Sequence, residues 1–212
     1  MNITVFGGTS ATGLLVVEKA LAAGHRVIVY ARNPAKMVLK HVNLVVVAGE
    51  LTEAANIAEA VHGADAVISL LGPTGVSKEL VISNGLAHIL VAMKQHGVQR
   101  LVATVSSSYR DAQDRFQFWF DFGVVMLRLM ANSILKDIER TGKLVAESQL
   151  DWTIIRLPKL GNKPATGRLA IGYTGDGEVS FFSLSRADLA DFLLRQLDNK
   201  KYLHQAPVVS NC

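Results

Sequence analysis

Short apolar runs recur along the first two thirds of the chain and alternate with longer stretches whose apolar positions repeat at helical spacing. The runs predict strands at Asn2–Phe6, Arg26–Tyr30, Asn43–Ala48, Ala64–Leu70, Arg100–Val105 and Trp152–Leu157. The longer stretches predict helices at Thr12–Ala23, Thr52–Val61, Ser77–His96, somewhere within Asp111–Ser148, and at Ser185–Asp198. Runs such as VIVY, LVVV and AVISLL lack a polar alternate position, the pattern of strands covered on both faces. An α/β fold with a doubly wound parallel sheet follows. Beyond Leu157 the pattern breaks into Pro158, Pro164 and a cluster of glycines between Gly161 and Gly177. Residues 158–184 therefore read as a loop-rich C-terminal cap on the substrate side of a single domain, residues 1–212.

Composition narrows the classes. Half of the residues are hydrophobic and 19% are charged, as in a globular enzyme. The net charge of +4 comes from scattered cations, which argues against nucleic acid as a partner and leaves room for an anionic small molecule. The single cysteine, Cys212, excludes an intrachain disulfide or a cysteine metal site, and no other cluster has metal-ligand spacing. That usage fits a reducing, cytoplasmic setting, and the N-terminus shows no basic region or cleavage site of a secretory signal. The most apolar stretch, Phe116–Met130, is too short to span a bilayer and carries Asp121 and Arg128, so it reads as a buried or interface helix in a monomer or homodimer, without a membrane partner.

The candidate chemistry begins at "FGGTSATG", Phe6–Gly13, between the first strand and the first helix. A dinucleotide site needs a tight turn there, with backbone N–H groups and the helix dipole facing a pyrophosphate. The spacing is not G-x-G-x-x-G; the looser G-x-x-G-x-x-G puts positions 7, 10 and 13 in register, with Ser10 in the middle. If residue 10 needs a positive φ, serine costs the close approach that glycine allows, although its hydroxyl can donate to phosphate. After the second strand the chain reads "ARNPAK", with Arg32 and Lys36 where an acidic residue would select NAD. These cations suit a 2′-phosphate, so NADP(H) is the expected cofactor.

Together with "AGEL", "DAVISLLGPT", "GLAHILVAMKQHGVQRLVATVSS", "KLVAES" and "LPKLGNKPATG", these motifs span nearly the whole chain, which resembles the atypical short-chain dehydrogenases/reductases of the NmrA-like and biliverdin reductase B (flavin reductase) type. The resemblance implies a Rossmann-like fold. It places Gly7, Gly8, Thr9, Ser10, Ala11 and Thr12 at the pyrophosphate, and Arg32 and Lys36 at the 2′-phosphate. Glu50 and Leu51 would edge the adenine. Leu71, Gly72, Thr74 and Ile82 would lie beside the ribose and phosphates, Thr104 and Ser106 beside the nicotinamide, and Leu157–Leu160 over its far side.

Two departures bear on chemistry. None of Tyr30, Tyr109, Tyr173 and Tyr202 has a lysine four residues on, so the Tyr-x-x-x-Lys proton-transfer pair of ordinary short-chain dehydrogenases is absent. The histidines that the flavin-reductase relatives place near the nicotinamide correspond here to Gly142 and Lys159. Hydride chemistry belongs to the cofactor, so an enzyme remains possible without them. Ser106 is the candidate to orient a substrate or relay a proton, its alternative being a cap of the turn after its strand. Lys159 is the candidate to attract an anionic substrate, its alternative being a solvated loop cation. The expected function is NADPH-dependent hydride transfer to a flavin, quinone or similar planar acceptor. The rival is a non-enzymatic, NADP(H)-binding redox sensor of the NmrA type.

Overall fold

Alternate residues of each apolar run feed different cores, and this sets the layers. The computed structural model describes residues 1–73 and 79–212. In β1 (Asn2–Phe6), Ile3 and Val5 enter one core and Phe6 the other. Thr4, also fully buried, donates its hydroxyl to the Ala60 carbonyl at 2.6 Å. The same division runs through β2 (Arg26–Ala31), β4 (Ala66–Ser69), β5 (Arg100–Ser106) and β6 (Asp151–Leu157), which explains why these runs carry no regular polar position. β3 (Leu44–Ala48) completes the outer side of the sheet.

Helices α1 (Ala11–Ala22) and α5 (Arg186–Arg195) pack together on one face; α2 (Ala54–Val61), α3 (Val81–Gln95) and α4 (Phe118–Ala146) cover the other. The main sheet runs β3-β2-β1-β4-β5-β6 in parallel, so the strand order reverses between β1 and β4, where such folds open a ligand crevice at the carboxyl ends.

The tail is more ordered than its composition predicts. β10 (Val208–Asn211) extends the sheet parallel to β6, and β8 (Leu169–Gly172) adds antiparallel to β10. β7 (Leu160–Gly161) and β9 (Leu184–Ser185) form a separate pair. These strands have two to four residues, too few for a period to show. Asp188 of α5 pins the tail by accepting from the backbone N–H groups of Thr166 and Gly167 and from Asn211 Nδ2. Burial alone would raise this carboxyl, but those bonds hold it below the usual carboxylate range.

Phe116–Met130 is expected to be a buried or interface helix, and the first of these alternatives is corrected. Backbone angles at Ala131 (φ −145°, ψ 51°) split α4 into two halves. The second half packs on the sheet; in the first, Phe118, Trp119, Phe122, Val125, Met126, Leu129 and Met130 are exposed. The inner side of this half is also apolar: Phe120 stacks on Phe181 with ring centroids 4.3 Å apart, and Val124 and Leu127 are half-buried. A helix that is apolar all round shows no burial preference in its sequence, and only this narrower side meets the body.

Candidate active site

Three positions of the first loop do different jobs. Gly7 has φ +80°, and a β-carbon there would press on the Leu70 carbonyl at 2.8 Å, so glycine is required. At Gly13 a β-carbon would run into the backbone of Gly7 and Gly8, which fixes the close approach of helix to loop. Ser10, by contrast, has extended backbone (φ −75°, ψ 164°) and is the N-cap of α1, its hydroxyl accepting from Gly13 N at 3.0 Å. No glycine is needed there. The Ser10 O–H remains available to donate, beside the free N–H groups of the first turn.

A cavity of about 390 Å³ opens at the carboxyl ends of β4, β5 and β6, directly beyond this turn. Of the residues expected at the site, it brings together Ser10, Ala11, Thr12, Leu71, Gly72, Ile82, Thr104, Ser106, Leu157 and Leu160. Gly7, Gly8 and Thr9 form the turn behind it. Arg32 and Lys36 lie outside the lining, exposed after β2 in the strand-end row next to β1; neither side chain has a hydrogen bond or ion pair among the described residues. Glu50 is exposed beyond β3, and Leu51 packs against α3, where a β-carbon at Gly85 would meet it at 2.7 Å. Tyr30 donates to the Glu50 carbonyl at 2.8 Å, and burial, then Glu53 and Glu50, push its phenol up to about 12, so it stays a donor. Thr74 lies outside the described residues.

At the nicotinamide end, Thr104 is committed to the fold, its hydroxyl donating to the Ser69 carbonyl at 3.3 Å. Ser106 accepts from Ser108 Oγ at 3.0 Å and Ser108 N at 3.3 Å, which leaves its own O–H to donate into the cavity. The turn-capping alternative for Ser106 is seen in these contacts, and its O–H is not used in them.

Lys159 is corrected. Its backbone is held between the Phe181 carbonyl and the Leu184 N–H, its side chain is exposed, and it does not line the cavity. The cation among the described lining residues is Arg186, first residue of α5, which keeps one nitrogen on Asn162 Oδ1 at 2.6 Å. Nothing in the sequence marks it, because the Ser185 cap that turns it inward is itself a two-residue strand. Gly142, for which the resemblance implies a histidine, is filled from outside: a β-carbon there would collide with the Tyr109 ring.

Two further polar lining residues were missed, both from α4, which also lends Ile134 and Ile138. Asp137 is buried, but it accepts from Ile82 N at 3.0 Å and Ser83 N at 2.8 Å, capping α3 from a distant helix. Thr141, one turn on and 5% exposed, has a hydroxyl with no hydrogen-bond partner among the described residues. Its oxygen is closed off from solvent, so the residue meets the cavity through its other atoms, and an unpartnered buried hydroxyl costs stability. Only its spacing of four from Asp137 could have signalled it.

The turn, the switch-point cavity and the exposed cations beyond β2 fit a nicotinamide dinucleotide by shape and donor chemistry. Comparison with known proteins agrees. A family model described as NAD(P)H-binding matches residues 7–200. The curated 3-beta-hydroxysteroid dehydrogenase of Mycolicibacterium neoaurum is 33% identical over 119 residues, which cover 50% of this chain and 32% of that protein; the match thus spans about a third of its length. A short-chain dehydrogenase/reductase of Veillonella parvula in complex with NADP superposes with a TM-score of 0.77 at 16% identity, covering 99% of this chain and 94% of that one. ChuY of Escherichia coli O157:H7, described as an anaerobillin reductase, gives 0.77 at 18% identity, covering 100% and 97%. The chain belongs to the NAD(P)H-binding family, and its fold is Rossmann-like.

Proposed function

We propose that the protein is an NADPH-dependent oxidoreductase that passes hydride to a flavin, quinone or similar planar acceptor. The observation that carries this reading is Ser106, whose hydroxyl accepts from Ser108 and keeps its own proton, in the wall of one largely apolar cavity beside the expected nicotinamide position. When bound, the dinucleotide supplies the hydride. The chain's own residues then have three tasks. The walls formed by Leu157, Pro158, Leu160 and Ile138 exclude water and accept a flat apolar ring. Ser106 orients an acceptor carbonyl and donates to the oxygen on which negative charge develops. Arg186 attracts an anionic arm. Arg32 and Lys36 favour the 2′-phosphate form of the cofactor, and the NADP held by the Veillonella protein supports that choice.

A second reading, a redox-sensing regulator, is favoured by the missing Tyr-x-x-x-Lys pair and by the aromatic plug at Gly142. The two separate in one experiment: the protein is mixed with NADPH and a panel of flavins, quinones and dichlorophenolindophenol while absorbance at the reduced nicotinamide band is followed. Turnover of at least one planar acceptor is expected. Tight NADPH binding with no turnover of any acceptor would replace the enzyme by the sensor.

A further inference from the structure

Eight of the fifteen exposed large apolar side chains among the described residues fall between Phe116 and Met130. Others, such as Val38 and Val91, stand apart on different elements and need no explanation. On α4, Phe118, Phe122, Val125 and Leu129 follow the four-three-four spacing of a helix–helix seam, flanked by Trp119 and Met130, which are 78% and 81% exposed. At about 150–250 Å² for each aromatic side chain, the face amounts to roughly 1,000 Å². That exceeds the ~300–600 Å² patch of an ordinary monomer and matches the ~800 Å² that one partner contributes to a stable interface.

We infer that this face is covered by a second copy of the chain, through an antiparallel, two-fold pairing of the first halves of α4. The residues are distributed for it. Large aromatics occupy the N-terminal end of the seam, and smaller or flexible side chains occupy the C-terminal end. A two-fold axis near Val124 sets Phe118 against Met130 of the partner subunit, Trp119 against Leu129 of the partner subunit and Phe122 against Met126 of the partner subunit. Gly123, with nothing within 4 Å of its β-carbon position, lets the two backbones approach at the centre. Antiparallel packing also opposes the two helix dipoles. Rich in Phe, Trp and Met and free of lysine over Phe118–Met130, the face has the composition of an interface core.

A bilayer fits less well. α4 as a whole is long and apolar enough to cross one, but its second half is engaged in the cavity wall. The exposed half rises about 20 Å at 1.5 Å per residue, short of a ~30 Å hydrocarbon core. An in-plane membrane helix carries a cationic polar face. Here the polar edge is Asp121 and Arg128, each already paired, with Arg110 at 3.1 Å and Glu139 at 3.0 Å.

The test is sedimentation at micromolar concentration. Wild type should have twice the chain mass; Phe122→Glu/Leu129→Glu should have the chain mass, with unchanged circular dichroism and NADPH affinity, since both side chains are exposed. Direction is read by cross-linking in a Cys212→Ser background: Phe118→Cys mixed with Met130→Cys should give a disulfide-linked dimer. Either alone should not, because like residues lie about 18 Å apart along the axis. A monomeric wild type, a dimer indifferent to the charged pair, or a monomer that pellets with phosphatidylcholine/phosphatidylglycerol vesicles would each overturn the assignment.

Discussion

Arg156 and Asp114 form a two-pronged ion pair at 2.7 and 2.8 Å with both side chains essentially removed from solvent. Arg156 belongs to β6 and also donates to the carbonyls of Ala206 and Tyr109, while Asp114 accepts from the N–H groups of Asp111 and Thr174. One pair thus joins the last long strand, the loop after Ser106 and the C-terminal tail beneath the cavity.

Cutting one side of such a pair leaves a buried charge alone, which costs about 3–5 kcal/mol. Asp114→Asn should lower the urea midpoint accordingly. Burial alone would raise the Asp114 carboxyl, but the Arg156 bonds and the backbone donors overcome it and hold the group below its usual range. Its contribution is therefore complete above the unfolded value of about 3.9 and lost as pH falls toward the lower folded value. Wild-type stability should drop over that acid window, and the Asp114→Asn curve should be flatter there.

The hydroxyls separate by their partners. Ser106→Ala should lower kcat for the best acceptor by about 100-fold with NADPH affinity kept. Thr141→Val preserves shape and removes a hydroxyl that has no partner among the described residues. It should leave the melting temperature equal or higher and kcat/KM for the best acceptor unchanged. Loss of stability in Thr141→Val would show that the hydroxyl has a structural task instead.

Arg186 should discriminate between acceptors. Arg186→Gln is expected to raise KM about tenfold for an acceptor carrying a phosphate, such as a flavin mononucleotide, and to leave an uncharged quinone unaffected. Equal effects on both would remove its role in substrate choice.

The cofactor preference rests on the two cations after β2. Arg32→Ala/Lys36→Ala should weaken NADPH binding roughly 100-fold and leave NADH binding as it is, measured by fluorescence titration. Because both side chains are exposed and unpaired among the described residues, folding should be unaffected.

Legibility in the sequence followed the physics of each element. β1, β2 and β5 could be bounded to within a residue because runs buried on both faces admit few polar residues. The loop at Gly7 was legible as a turn, yet the role of Ser10 was not, because whether position 10 needs a positive φ is a property of the folded backbone. Arg186 left no mark in the sequence and Thr141 only its spacing from Asp137, since each is placed by a distant neighbour: the β7–β9 pair for one, the packing of α4 on α3 for the other. For Phe116–Met130 the sequence leaves burial and interface open, and burial fails because its apolar character meets too little of this chain.

Asp137 carries a consequence for the order of assembly. α3 has no side-chain cap of its own at Leu80, and the carboxylate that completes its first turn arrives 54–55 residues later in the chain. During synthesis the β1–β5 half can pair while that turn stays frayed. The first turn, with Ile82, closes only when α4 has emerged and docked, a long-range contact of the kind that sets slow folding steps. The cofactor-side wall is therefore among the last parts of the protein to form, so a nascent chain holds its sheet before it can hold a nucleotide.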